Sequence, residues 1–105
     1  MGVNHSHTAT QTFVYNGITT IHHETITRNM FCFTMVYLRE SDNGERKVIV
    51  DKKGKNRFRV RNIYDNETKK DEKFYSKDEL IKLLTECELS EHLKFMCKYL
   101  QNSNI

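Results

Sequence analysis

The sequence predicts an α+β domain: an antiparallel β-meander with amphipathic helix after it. Three observations carry this. Residues 31–41, FCFTMVYLRES, form a nearly continuous apolar run that ends in charge, the pattern of a central strand buried on both faces. Arg57-Phe58-Arg59-Val60 alternates with period two, which gives a strand one apolar and one cationic face. Ser76 followed by Glu79 precedes a stripe of Leu80, Ile81, Leu83 and Leu84, a capping box at the head of a helix.

The intervening segments connect these elements. Asp42-Asn43-Gly44-Glu45 is a turn, 47–50 a strand, Lys52-Lys53-Gly54-Lys55 a second turn, and 57–60 the third strand of the meander. Residues 65–73 read as a charged loop, and Ser90 as the cap of a further helix with Leu93, Met96, Cys97 and Leu100 on its buried side. Residues 13–30 admit two readings. Asn16-Gly17 between Phe13-Val14-Tyr15 and Ile18-Thr19-Thr20-Ile21 signals a hairpin, whereas Ile18, Ile21, Thr25 and Ile26 also fit a short helical face. Residues 1–11 are polar and aperiodic, a flexible arm; 12–100 make one domain, and 101–105 a frayed tail.

The 105 residues are 30% charged and 37% hydrophobic with a net charge of +3, the balance of a globular chain rather than a disordered one. No apolar run nears the roughly 20 residues that span a bilayer, and a secretory pattern is missing, so the expected location is the cytoplasm. Cys32, Cys87 and Cys97 are odd in number and form no CxxC pair, so they are expected as buried thiols. His22 and His23 are adjacent and diverge, without the spacing of metal ligands, and His5 and His7 lie in the arm with no convergent third ligand in view. With no nucleophile, base and orienter in specific form, the chain is expected to be a binding module, not an enzyme, and to need no metal or cofactor. Met1-Gly2-Val3-Asn4-His5-Ser6 fits the N-myristoylation pattern. Gly2 is thus a lipidation candidate, and contact with the inner face of a membrane is expected only if it is acylated.

The segment Val36-Tyr37-Leu38-Arg39-Glu40-Ser41 carries the chemistry. An arginine at the end of a buried apolar strand is costly without an anionic partner. Ser41, two residues on, points the same way. Arg59, on the cationic face of another strand, is expected to reach the same spot, and two guanidiniums with a hydroxyl suit a dianionic phosphate.

These residues resemble the Src-homology-2 family. VYLRES is similar to its FLVRES motif, whose arginine lies at the floor of the phosphotyrosine pocket. Val14-Tyr15-Asn16-Gly17-Ile18-Thr19 resembles the family's opening, Glu24 falls where its first helix carries a glutamate, and Arg57-Phe58-Arg59-Val60 resembles its fourth strand. Phe74-Tyr75-Ser76-Lys77-Asp78-Glu79-Leu80-Ile81 is similar to the start of its second helix. Thr20 or Ile21 stands where the family has a phosphate-binding arginine, a role that Arg59 or Arg57 is expected to fill. The resemblance implies a central sheet flanked by two helices, with the last helix of this chain as an addition. It also implies a free-standing, monomeric phosphotyrosine-binding adaptor or competitor, using Arg39, Ser41, Arg59 and Arg57 for phosphate and Phe58 and Tyr64 for peptide.

Two other functions compete. A small basic nucleic-acid-binding protein would use the basic meander with Phe58 and Tyr64 as stacking groups, but one aromatic among the arginines and a small net charge disfavour it. A structural protein would instead offer its amphipathic C-terminal helix to a partner.

Overall fold

Among the described residues six strands make up most of the structure, and two short helices follow them. The computed structural model describes residues 5–42, 44–64, 67–87 and 89–105, with 67–71 described by backbone alone. The strands are β1 (His5–Tyr15), β2 (Ile18–Arg28), β3 (Phe33–Ser41), β4 (Gly44–Gly54), β5 (Arg57–Tyr64) and β6 (Glu67–Tyr75), followed by α1 (Lys77–Glu86) and α2 (Lys94–Asn102). They form one antiparallel sheet in chain order. Asn16 and Gly17 take φ of 51° and 76°, the two-residue turn whose twist suits a hairpin. Beyond it β1 and β2 pair without a slip from Tyr15–Ile18 to His5–Arg28. Asn56 (φ 53°) helps close the β4–β5 turn, beside a register irregularity between Lys52 and Gly54.

Register assigns each side chain to a face, because successive strand residues point oppositely. Ile26, Phe33, Met35, Tyr37, Val48, Val50, Phe58 and Val60 fall on one face, and both helices lie against it. Leu80 and Leu84 of α1, Leu89 and Leu93, and Met96, Cys97 and Leu100 of α2 join the same buried cluster. The cross-strand row Met35–Val50–Val60 runs through its middle. The Ser76 hydroxyl accepts from the Glu79 N–H (3.3 Å) and the Glu79 carboxylate accepts from the Ser76 N–H (3.1 Å), so the expected capping box forms. The backbone N–H of Ser76, then its hydroxyl, hold the Glu79 carboxyl below its usual range. Among the described residues no helix is long and apolar enough to cross a membrane.

The arrangement differs from a sheet flanked by helices, and the Src-homology-2-like fold is overturned. Residues 13–28, including Glu24, belong to the β1–β2 hairpin rather than to a first helix, because Asn16-Gly17 and the β-branched residues of β2 favour pairing over a helical face. Both helices follow the sheet and cover one side of it. The other side bears Val36, Leu38, Ile49 and Ile63, half-buried by neighbouring side chains alone, so β3 is not enclosed on both faces. From His5 on, the supposed arm is β1, held by the β2 ladder. The charged stretch expected as a loop is β6 from Glu67, paired with β5.

Smaller corrections concern the caps and thiols. Leu93, not Ser90, is the N-cap of α2, without a side-chain hydrogen bond, because residues 89–93 form a turn whose N–H groups bond to the Leu89 carbonyl. The tail is docked: the Ser103 carbonyl accepts from Lys77 Nζ (2.9 Å), the Asn104 carbonyl accepts from Arg28 (3.0 Å), and Ile105 packs on the core. Of the cysteines only Cys97 is buried; Cys32, in the β2–β3 loop, is exposed.

Truncating α2 should therefore cost more than uncapping α1. Leu100→Ala, at a fully buried site, is expected to lower the unfolding free energy by about 2–5 kcal/mol, and Ser76→Ala by about 1 kcal/mol. Urea unfolding checks both; a Leu100→Ala loss no larger than that of Ser76→Ala would contradict the described core.

Candidate anion-binding site

The ladder that builds the core also aligns four polar and aromatic side chains in one row. Arg39 pairs with His22 on β2 and with Arg46 on β4, and Arg46 pairs with Tyr64 on β5. The row His22–Arg39–Arg46–Tyr64 thus crosses the helix-covered face beyond the apolar core, two positions along β3 from buried Tyr37. Ser41 lies two further on, opposite Gly44, and its hydroxyl donates to the Gly44 carbonyl (3.2 Å).

One end of this row is a packed aromatic cluster. The Tyr37 oxygen and His22 Nδ1 are 2.6 Å apart, a buried hydrogen bond. His92, from the turn before α2, stacks on His22 with ring centroids 4.5 Å apart and on Tyr37 at 5.7 Å. Phe13 meets His22 edge-on at 5.3 Å. Burial first, then the neighbouring His92 and Arg39, push the His22 pKa below its ordinary value. Burial raises that of Tyr37, against the opposing pull of Arg39 and Arg46. Both groups are therefore neutral at neutral pH, and the charge of the row resides in the guanidiniums. Among the described residues no carboxylate pairs with Arg39. The Arg46 guanidinium lies 4.9 Å above the Tyr64 ring, a cation–π contact.

The structure separates the phosphate residues expected from sequence. Arg39 and Ser41 share the helix-covered face, whereas Arg57, Arg59 and Arg61 point to the other one, because Arg59 pairs with Asp51 and Val60 with Val50. Arg59 cannot join Arg39 through the sheet. It donates instead to Asp51 (2.8 Å) and Glu72 (3.4 Å), while Arg61 and Lys53 also reach Asp51, at 3.3 and 3.7 Å. Arg57 lies 4.2 Å over Phe74. Phe58 is fully buried under the helices and cannot touch a peptide; Tyr64, partly exposed, adjoins the site. Gly2 lies outside the described residues.

Arg46 and the two histidines escaped the sequence reading. Taking the second strand to start at Lys47 hid Arg46, although pairing Ser41 with Gly44 across the turn would have set it opposite Arg39. His92 gave no signal, since its role depends on the long-range packing of α2. Among the described residues no group of three or more His, Cys, Asp or Glu side chains is placed to hold a metal ion. Comparison with family models, with curated proteins and with solved structures returned no match. The class is thus defined by geometry alone: a six-stranded meander with helices on one face and an arginine pair at the rim of that face.

The buried His22 makes stability depend on pH. Its folded pKa lies below the unfolded value of about 6.5, so the unfolded chain takes up the proton first and stability falls as the pH drops through that value. The melting temperature should decline from about pH 8 to pH 5, and His22→Gln should flatten the decline; an unchanged slope in that variant would contradict the neutral, buried assignment.

Proposed function

We propose that this protein is a non-catalytic module that binds a phosphorylated tyrosine of a partner protein through Arg39 and Arg46. One observation carries the reading. Arg39 and Arg46 are opposed in register on neighbouring strands, on the same face, and no carboxylate among the described residues pairs with Arg39. Like charges opposed across a ladder are destabilising, and a dianionic phosphate between them turns repulsion into two charge-assisted, potentially bidentate contacts. The rings of His22 and Tyr64 at the two ends of the row suit an aromatic phosphoester. The scaffold is not that of the Src-homology-2 domain, so a resemblance of motif to that family does not carry its peptide-binding geometry here.

The nucleic-acid alternative is weaker for a physical reason. Arg59 and Arg61 of the open face are drawn to Asp51 and Glu72, which lowers the positive potential a phosphate backbone would track. Fluorescence or NMR titration with phenyl phosphate, a pool of phosphotyrosine peptides, their unphosphorylated twins and a single-stranded oligonucleotide separates the two. Arg39→Gln and Arg46→Gln should each weaken phosphopeptide binding at least about tenfold, or about 1.4 kcal/mol, while Arg59→Gln leaves it nearly unchanged. Wild-type affinity in folded Arg39→Gln, or losses spread evenly over Arg57, Arg59 and Arg61, would overturn the proposal.

A further inference from the structure

Strand β1 forms one edge of the sheet. It has eleven residues, contains no proline, lysine, arginine, aspartate or glutamate, and runs without a bulge. Edge strands are normally guarded by such devices because their free N–H and C=O groups template another strand. The two-residue turn at Asn16-Gly17 makes Tyr15–Ile18 a hydrogen-bonded pair, so odd-numbered β1 residues bond to β2 and residues 6, 8, 10, 12 and 14 direct their backbone groups outward.

We infer that β1 pairs antiparallel with β1 of a second copy, with Thr10 on the two-fold axis. This register is the one that uses the whole strand. It opposes Thr10 to Thr10, Thr8 to Thr12 and Ser6 to Val14 as hydrogen-bonded pairs, in keeping with the outward backbone groups. It sets His7 against Phe13 and His5 against Tyr15 as the closer, non-hydrogen-bonded pairs. Aromatic pairs and threonine pairs are favourable cross-strand combinations. The sequence of β1 is thus self-complementary about its centre, as a two-fold interface requires.

A second observation points to the same partner. Phe13 and Tyr15 are 52% and 78% exposed near the hairpin tip, and they share the helix-covered face with His5 and His7. At the far end of β1 that face holds an open cavity of about 350 Å³, lined by His5, His7, Phe95 and Tyr99 together with Glu24 and Lys98, among others. His5 lies 4.9 Å from Tyr99 and His7 6.4 Å from Phe95, by ring centroids. In the inferred register the partner's Phe13 and Tyr15 arrive opposite His7 and His5, at the mouth of this cavity beside the rings of Phe95 and Tyr99. The exposed aromatics of each copy therefore meet the cavity of the other, and the two sheets join into one. The sequence-based expectation of a monomer changes accordingly.

Sedimentation velocity on the full chain tests the inference, alongside two substitutions at the axis. Thr10→Pro removes an outward N–H that β2 does not use. Thr10→Lys places like charges face to face and gives up only an exposed contact with His23. The expected result is a wild-type dimer, with dissociation raised at least tenfold by each variant while circular dichroism and melting temperature stay near wild type. A wild type that remains monomeric into the millimolar range, or a dimer indifferent to both Thr10→Lys and Thr10→Pro, would overturn it.

Discussion

Strand register is the constraint on which the other features depend. The row Met35–Val50–Val60 and the neighbouring Phe33, Tyr37, Val48 and Phe58 can be removed from water together only if β3, β4 and β5 align as they do beneath the two helices. A slip of one residue would carry a strand's whole apolar set to the open side. At about 25 cal/mol per Å² of buried apolar surface, that loss would outweigh any gain from rearranged surface charges. The same alignment decides, with no further freedom, which polar residues share a face.

Two charge environments result from this on opposite sides of one sheet. On the open side, Asp51 gathers Arg59, Arg61 and Lys53, and Arg57 rests on Phe74. These cations have intramolecular partners and give the surface structural cohesion. On the helix-covered side, Arg39 faces Arg46 and borders the stacked rings of His22, Tyr37 and His92. Those rings pack against one another at the β2 end of the arginine row. Two arginines opposed across a ladder depart from the usual cross-strand rule, and real proteins depart from local rules mainly where function demands it.

Much of this was legible in local pattern. The alternation in Arg57-Phe58-Arg59-Val60 did place its arginines opposite its apolar residues, Ser76 and Glu79 did form the cap of α1, and Leu93, Met96, Cys97 and Leu100 did turn inward. Asn16-Gly17 likewise marked its hairpin. What local pattern could not supply was the relation between strands. Arg39 and Arg59 each lie on a strand of known alternation, yet whether they share a face depends on the register between β3, β4 and β5, which period-two reasoning within one strand leaves open. The motif resemblance filled that gap with another fold's geometry and so joined two arginines that the sheet keeps apart. Phe58 lies on the apolar face that its alternation predicts, and its full burial there excludes the peptide contact that the resemblance implies. The pairing of Glu67–Tyr75 was hidden because its residues are mostly charged and their partners lie on β5, where long-range pairing overrides weak local propensity.

The central claim is that β3 and β4 pair so that Arg39 opposes Arg46 and turns away from Arg59. Nuclear Overhauser contacts between α-protons test this most directly, because they are strongest at the non-hydrogen-bonded pairs of an antiparallel ladder, where the Cα atoms approach to about 4.5 Å. The account predicts strong α-proton contacts for Leu38 with Lys47 and for Val36 with Ile49. Contacts displaced by one residue, such as Arg39 with Lys47, would put Arg39 on the open face beside Arg59 and contradict it.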